Sequence, residues 1–182
     1  MTKTGDTHIR VLFDAAAIAA RNEALALEIK ATNPEHLLVI AVLKGSFIFA
    51  ADLIRALHDV GLAPEVEFIS LSSYREGTVS SGTVRILHDV ESEVRDRDVV
   101  LVDDILESGR TLAYAKDLLA ARGARRVLVA ALLDKQGHRA ADIEADFLGF
   151  PCPDVFVVGY GMDMAHAFRE LPFVGHLRKR AQ

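Results

Sequence analysis

The sequence predicts an α/β fold in which a mostly parallel central sheet is flanked by helices. Continuous apolar runs alternate with segments of helical spacing, and the charged motifs follow the apolar runs. Strands buried on both faces of a parallel sheet are apolar throughout, and such sheets bind ligands at the carboxyl ends of their strands. We therefore expect residues 1–182 to form a single domain with its ligand site at that edge.

Each element is assigned from the local period of apolar residues and from the residues that interrupt it. The first helix stops at Asn33-Pro34, whereas Gly61 and Gly123 follow the other two. The predicted helices are 14–31, 47–60 and 111–122, and the predicted strands are 37–43, 66–71, 83–87, 99–102, 127–133, 147–150 and 155–159. The polar segment 72–82 between two of these strands is predicted to be a mobile loop.

The composition is that of a globular domain without a general affinity for polyanions. The 182 residues carry a net charge of −5, and 51% of them are hydrophobic. Counterion-release binding to nucleic acid needs a basic face, so we expect no nucleic-acid partner. The basic run Arg178-Lys179-Arg180 is interpreted as a solvated end of the chain.

We expect a cytoplasmic protein with no membrane partner. The polar start, Met1 to Arg10, lacks an apolar core of signal-peptide length, and the apolar-rich stretch Leu37 to Leu43 is too short to cross a bilayer. The single Cys152 fits a reducing compartment. The seven histidines have no HExxH or similar spacing, so the sequence predicts no metal site built on histidine.

The most unusual motif is the acidic pair Asp103-Asp104, which directly follows the apolar run Val99 to Val102. Two adjacent carboxylates at a sheltered strand end repel each other, so something must offset the repulsion. A divalent cation, ligand hydroxyls or a basic neighbour would do so. The alternative is that one Asp caps a helix while the other is solvated.

The turn Glu107 to Thr111 predicts an anion site, because a short Ser/Gly/Thr turn that opens a helix directs free backbone N–H groups at one spot. It contains neither a Walker A loop nor a G-x-G-x-x-G sequence, and the alternative is an ordinary strand-to-helix turn. Lys44, next to Gly45, and Lys135 follow two other predicted strands at the same edge. Each lysine either meets an anion there or is simply solvated.

Val99 to Leu112 resembles the phosphoribosyl pyrophosphate (PRPP) signature of the type I phosphoribosyltransferases. From about Leu38 to about Pro172 the chain resembles one branch, the hypoxanthine (guanine) phosphoribosyltransferases. The landmarks of that branch are Leu43-Lys44-Gly45, Ser73-Tyr74, Lys135, Asp146 to Phe150, Phe156 to Asp163, and Phe168-Arg169 before Leu171-Pro172.

The resemblance implies a Mg²⁺-dependent transfer of the phosphoribosyl group from PRPP to N9 of hypoxanthine or guanine. It also implies a small hood built from the chain ends, a cis peptide at the Lys44-Gly45 turn, and a homodimer or homotetramer. The residues implied for PRPP and pyrophosphate are Lys44, Gly45, Ser73, Tyr74, Asp103, Asp104, Ser108, Gly109, Arg110, Thr111 and Arg169. Those implied for the purine are Lys135, Phe156 and Val157, and those implied for Mg²⁺ are Asp103, Asp104 and Asp163.

Glu107 departs from the family pattern, since many members of the branch carry Asp at this position. The resemblance implies a proton acceptor near purine N7, and Glu keeps the carboxylate while adding a methylene. Three alternatives stay open: a PRPP-sensing regulator without useful catalysis, a phosphorylatable receiver domain, and a related specificity for xanthine or a pyrimidine. The acidic pair of a receiver domain belongs to its first strand, which is not the case here.

Overall fold

Strands and helices alternate in the described residues as far as the second α-helix, and three strands then precede the third α-helix. The structure, a computed structural model, describes residues 7–73 and 84–179. Within those ranges the strands are β1 (Thr7–Phe13), β2 (Leu38–Leu43), β3 (Glu65–Ser73), β4 (Val84–His88), β5 (Asp98–Leu106), β6 (Arg126–Asp134), β7 (Phe147–Pro151), β8 (Val157–Val158) and β9 (Val174–Lys179). The α-helices there are α1 (Ala15–Ala31), α2 (Phe47–Asp59) and α3 (Arg110–Ala121).

Six of the strands in the described residues form the central sheet, in the order β4-β3-β2-β5-β6-β7. Every neighbouring pair is parallel except β3 and β4, which are antiparallel. The runs at the centre, Leu38 to Val42 and Val99 to Val102, are buried throughout, as expected for strands covered on both faces. The predicted mostly parallel sheet flanked by helices is therefore confirmed.

Helices cover the two faces of this sheet unequally. Helices α1 and α2 pack together on one face, where Val39 and Ala41 join their core, whereas α3 lies on the other face with Leu38 and Ile40. Alternate residues of one strand enter different cores because successive side chains point to opposite faces. This arrangement leaves the carboxyl ends of β2, β5 and β6 together at one edge.

A second sheet, the hood, is formed by β1, β9 and β8, and both of its pairings are antiparallel. Its existence confirms the small hood implied by the resemblance. Arg178 and Lys179, part of the run interpreted as a solvated end, belong to β9 and pair with β1, and the Arg178 side chain is exposed there. The sequence reasoning assigned no element before residue 14, whereas β1 begins at Thr7. Within the described residues, no helix is long and apolar enough to cross a membrane.

Candidate active site

A cleft of about 460 Å³ lies between the carboxyl ends of the central strands and the hood. Its lining combines acidic, basic and aromatic side chains that are far apart in the sequence. The lining residues are Lys44, Gly45, Asp104, Ile105, Glu107, Lys135, Phe156, Val157, Met162, Asp163 and Arg169. Most of the residues singled out in the sequence therefore meet at one site.

The two aspartates at the end of β5 have different surroundings. Asp104 lines the cleft, whereas Asp103 is 8% exposed and lies in the ladder with β6. The backbone N–H of Asp104 donates to Asp103 Oδ1 at 2.9 Å. Burial raises the pKa of the Asp103 carboxyl well above its ordinary value, and the negative charge of Asp104 raises it further. No basic side chain in the described part of the chain forms an ion pair with either aspartate.

The turn from β2 to α2 brings backbone against the acidic pair. The Leu43–Lys44 peptide bond is cis, as the resemblance implies. A Cβ on Gly45 would lie 1.7 Å from Asp104 Oδ2, and a Cβ on Gly161 would lie 2.1 Å from the Gly45 carbonyl oxygen. Both positions must therefore be glycine for the β2 turn, the end of β5 and the hood to approach this closely.

The turn Glu107 to Thr111 leads from β5 into α3. Gly109 has φ +77°, and a Cβ there would meet Ile143 at 2.5 Å, so both its backbone and its packing require glycine. The Ser108 carbonyl oxygen accepts from the N–H groups of Ala140 and Ala141, which fixes the turn against the segment after β6. Ser108 to Thr111 do not line the 460 Å³ cleft. They form the N-terminal end of α3, where the helix dipole favours an anion.

Lys135 and Phe156 provide a cation and an aromatic face at another part of the cleft. Lys135 is 7% exposed, and its Nζ lies 3.9 Å from Glu107 Oε1. Phe156 is 53% exposed although it is a large apolar residue, and it precedes Val157 at the start of β8. An exposed ring beside a buried ammonium suits a flat ligand that carries a hydrogen-bond acceptor.

Asp163 and Arg169 face the cleft from the hood and hold each other in place. Arg169 Nη2 lies 2.6 Å from Asp163 Oδ1, and Arg169 Nη1 donates to the Gly161 carbonyl at 2.5 Å. The backbone N–H of His166 donates to Asp163 Oδ2 at 2.8 Å. The carboxylate and the guanidinium are therefore positioned by the hood's own turns.

Tyr160 is a positioning residue that the sequence reasoning did not single out. Its hydroxyl donates to Asp52 Oδ2 of α2 at 2.7 Å and accepts from Asn22 Nδ2 of α1 at 2.9 Å. Burial raises the pKa of Tyr160, and the hydrogen bond to Asp52 raises it further. This hydroxyl ties the hood turn to both helices. A buried Asn inside a helix was the available sequence signal, but it does not reveal its partner.

Two of the predicted residues cannot be assigned to the cleft. Ser73 is the last residue of β3, and its side chain is outside the described part of the structure. Tyr74 and the predicted mobile loop as far as residue 82 are outside the described residues. Conversely, Ile105 and Met162 line the cleft although the sequence reasoning gave them no role.

The family model, the sequence relatives and the solved structures that match this chain all describe phosphoribosyltransferases. A model of the phosphoribosyl transferase domain matches residues 8–165. The hypoxanthine-guanine phosphoribosyltransferase of Bacillus subtilis (strain 168) is 48% identical over 141 residues, covering 78% of this chain and 77% of that protein.

Solved structures agree with the sequence relatives. A hypoxanthine phosphoribosyltransferase from Staphylococcus aureus superposes with a TM-score of 0.87 at 36% identity, covering 93% of this chain and 91% of that one. The Trypanosoma cruzi hypoxanthine phosphoribosyl transferase superposes with a TM-score of 0.88 at 35% identity, covering 98% of this chain and 95% of that one. That structure belongs to a study of how the C-terminal region affects oligomeric state and enzymatic activity.

Proposed function

The chain belongs to the phosphoribosyl transferase family, and we propose that it is a purine salvage enzyme that transfers the 5-phosphoribosyl group of PRPP to N9 of hypoxanthine or guanine. The products are IMP or GMP and pyrophosphate. The observation that carries the proposal is the single cleft in which acidic, cationic and aromatic groups meet. PRPP needs cations for its phosphates and acceptors for its hydroxyls, whereas a purine needs an apolar face and a polar anchor.

The purine subsite is assigned to Lys135, Phe156 and Val157. The buried Lys135 ammonium donates to the 6-oxo oxygen, because three N–H donors with little exposure favour an acceptor on the ligand. Phe156 stacks on the ring, which explains why a phenylalanine is left half exposed. The backbone of Val157 reads the pyrimidine edge.

The PRPP subsite is assigned to the acidic pair and to the turns around it. Asp103 and Asp104 accept from the ribose hydroxyls, and the N–H groups at the start of α3 bind the 5′-phosphate through Ser108 to Thr111. Lys44, Gly45 and Arg169 meet the pyrophosphate. We also keep the prediction that Ser73 and Tyr74 bind PRPP, from the segment that enters the predicted mobile loop.

Mg²⁺ is the cofactor we propose for this site. The carboxylates of Asp104 and Asp163 line the same cleft, and hard carboxylate oxygens combined with substrate phosphates are the ligands that Mg²⁺ favours. The donor set therefore fits this ion, with Asp103 behind Asp104. When bound, Mg²⁺ supplies positive charge to the departing pyrophosphate.

The transfer breaks the bond between C1′ and the pyrophosphate oxygen and forms the bond between C1′ and N9, with inversion at C1′. Positive charge develops at C1′ as the pyrophosphate leaves. Lys44 and Arg169 stabilise the charge on the leaving group, and Glu107 accepts the proton that the purine loses. The 3.9 Å separation between Glu107 Oε1 and Lys135 Nζ supports the proposal that an acceptor and a donor meet one edge of the base together.

The test is the initial rate of pyrophosphate release with hypoxanthine, guanine and xanthine, with and without Mg²⁺. We expect release that requires both PRPP and a base, is fastest with hypoxanthine or guanine, and stops when Mg²⁺ is chelated. Release with xanthine but not with hypoxanthine or guanine would assign the enzyme a specificity for xanthine. PRPP binding without release for any base would favour a sensing regulator.

Lys135→Met tests the base subsite separately from PRPP binding. Loss of the ammonium leaves the 6-oxo oxygen without its donor, so kcat/KM for the base should fall at least tenfold. Affinity for PRPP, measured by calorimetry, should change little. Lys116→Met is the matched control, because Lys116 lies on α3 and forms only a 4.0 Å ion pair with Asp146. Equal rates for the two variants would remove Lys135 from the base subsite.

We further propose a homodimer or homotetramer in the cytoplasm. The resemblance to the family is the support for assembly, and the single cysteine of the sequence is the support for a reducing compartment. Light scattering on the purified protein would measure the subunit number, and a monomeric mass at assay concentration would contradict the assembly.

A further inference from the structure

Three side chains at the mouth of the base subsite form a cluster of potential metal ligands. They are Glu107, from the turn after β5, His138, from the short helical turn after β6, and Asp154, from the segment between β7 and β8. One ligand atom of each lies within 4.8 Å of the other two. His138 Nε2 is already 3.0 Å from Asp154 Oδ2.

The spacing of histidines along the sequence gave no hint of this cluster, since its members come from three separate segments. All three side chains are exposed, at 48% for Glu107, 58% for His138 and 61% for Asp154. Their terminal atoms can therefore move closer without disturbing the core. Neighbouring ligands of a tetrahedral zinc lie about 3.3 Å apart, so rotamer changes of about an ångström would close the site.

The donor set selects the class of cation. One imidazole and two carboxylates suit Zn²⁺ or another first-row transition ion, whereas Mg²⁺ prefers oxygen ligands alone. Three protein ligands also leave coordination positions open to water. The Lys135 ammonium near Glu107 opposes a cation, but the two carboxylates outweigh that single positive charge.

We propose that Glu107, His138 and Asp154 form a binding site for Zn²⁺ or a similar divalent transition ion, and that its occupation inhibits the transferase. Inhibition follows because a Glu107 carboxylate bound to metal no longer accepts the purine proton. The binding half of the proposal stands on the cluster alone. The inhibitory half rests on the proposed function.

The binding test is calorimetric titration of ZnCl₂ into the full-length protein, in excess Mg²⁺ so that the predicted Mg²⁺ carboxylates do not contribute. We expect one zinc site with a Kd in the micromolar range in the wild type, and at least a tenfold weaker Kd in His138→Ala. His58→Ala is the matched control, since His58 is an exposed histidine in the last turn of α2, away from the cluster. Equal zinc affinity in the wild type and in His138→Ala would overturn the site.

The inhibition test compares the zinc concentration that halves the rate of each protein, relative to its own rate without zinc. Wild type and His58→Ala should be inhibited at concentrations at least tenfold lower than His138→Ala. Zinc binding that depends on His138 but leaves the rate unchanged would overturn the inhibitory half. A protein that binds zinc in this way but transfers no phosphoribosyl group would instead refute the proposed function.

Discussion

The central strand β5 carries acidic residues near both ends, and the two ends are built in opposite ways. At its start, Asp98 is 1% exposed and accepts hydrogen bonds from Arg125, Arg126 and the N–H of Glu35. Burial would raise the pKa of Asp98, but the two arginines outweigh it and hold the pKa well below its ordinary value. Toward its other end, Asp103 is also buried, and there burial raises the pKa, which the negative charge of Asp104 raises further.

Burial of a carboxylate therefore does not define its role. Where the fold supplies the compensating charges, as at Asp98, the carboxylate stabilises the sheet. Where no ion pair forms among the described residues, as at Asp103 and Asp104, we propose that a ligand supplies the compensation. Stability and activity should therefore respond oppositely to the same chemical change at the two ends of one strand.

The largest expected effect on stability is that of Asp98→Asn. The variant leaves Arg125 and Arg126 without their anion, and the free energy of unfolding should fall by about 3 kcal/mol at pH 7. The low folded-state pKa of Asp98 also makes its contribution full above about pH 5 and progressively lost as the pH falls below that. Urea unfolding from pH 7 to pH 3 should therefore show a difference in unfolding free energy between wild type and variant that narrows below about pH 4. A constant gap would show that pairing is not its source.

At the other end of β5, Asp104→Asn should lower kcat/KM for PRPP by about a hundredfold, or about 2.7 kcal/mol of transition-state stabilisation. The reason is that a carboxylate proposed to meet the ribose and Mg²⁺ becomes a neutral amide. Pyrophosphate release measures the effect, and urea unfolding should show little change. Asp98→Asn is the control, with activity per folded molecule within about twofold of wild type. If Asp98→Asn loses activity as severely as Asp104→Asn, the two ends are not distinct.

Tyr160→Phe tests whether Asp52, a second carboxylate that the fold pairs, contributes to stability as Asp98 does. Asp52 accepts from the Tyr160 hydroxyl, and the Tyr160 hydroxyl oxygen itself accepts from the buried Asn22 amide. Removing the hydroxyl leaves that amide without its acceptor and should cost about 1.5 kcal/mol of folding free energy. Thermal unfolding would measure the cost. A stability equal to wild type would mean that the hydroxyl does not tie the hood to the helices.

The smallest expected effect is an increase in stability rather than a loss. Asp103→Asn removes a buried ionisable carboxyl next to Asp104 and should raise the free energy of unfolding by about 1 kcal/mol at pH 7. A folded-state pKa above the unfolded value means that the wild-type carboxyl favours the fold at low pH and loses that contribution as the pH rises through the folded pKa. The gain should thus shrink toward pH 4. Destabilisation at pH 7 by Asp103→Asn would contradict the raised pKa.

Much of this fold could be predicted from the sequence because its signals are local. Unbroken apolar runs specified the buried strands from Leu38 and Val99, and polar residues after each run marked the ligand edge. The resemblance added the hood, the purine contacts and the cis bond at Lys44. The fold and the family are confirmed, whereas the roles of the individual side chains stay predictions.

The features that escaped prediction are contacts between distant parts of the chain. No local pattern predicted that Tyr160 would meet Asn22 across 138 positions, and only the resemblance implied that the chain ends would meet, as β1 and β9 do. Periodicity describes which face of an element is apolar but does not name the partner of that face. The approach of His138 to Glu107 is another such contact, because it depends on how the turns after two parallel strands lie side by side.

The most direct measurement is calorimetric titration of PRPP with Mg²⁺ into the wild type, Asp104→Asn and Asp98→Asn, under conditions where all three proteins are folded. If the carboxyl end of β5 is the sugar-phosphate site, wild type and Asp98→Asn should bind PRPP with similar affinity, whereas Asp104→Asn should bind at least tenfold more weakly. Binding by Asp104→Asn that equals the wild type would contradict the central claim.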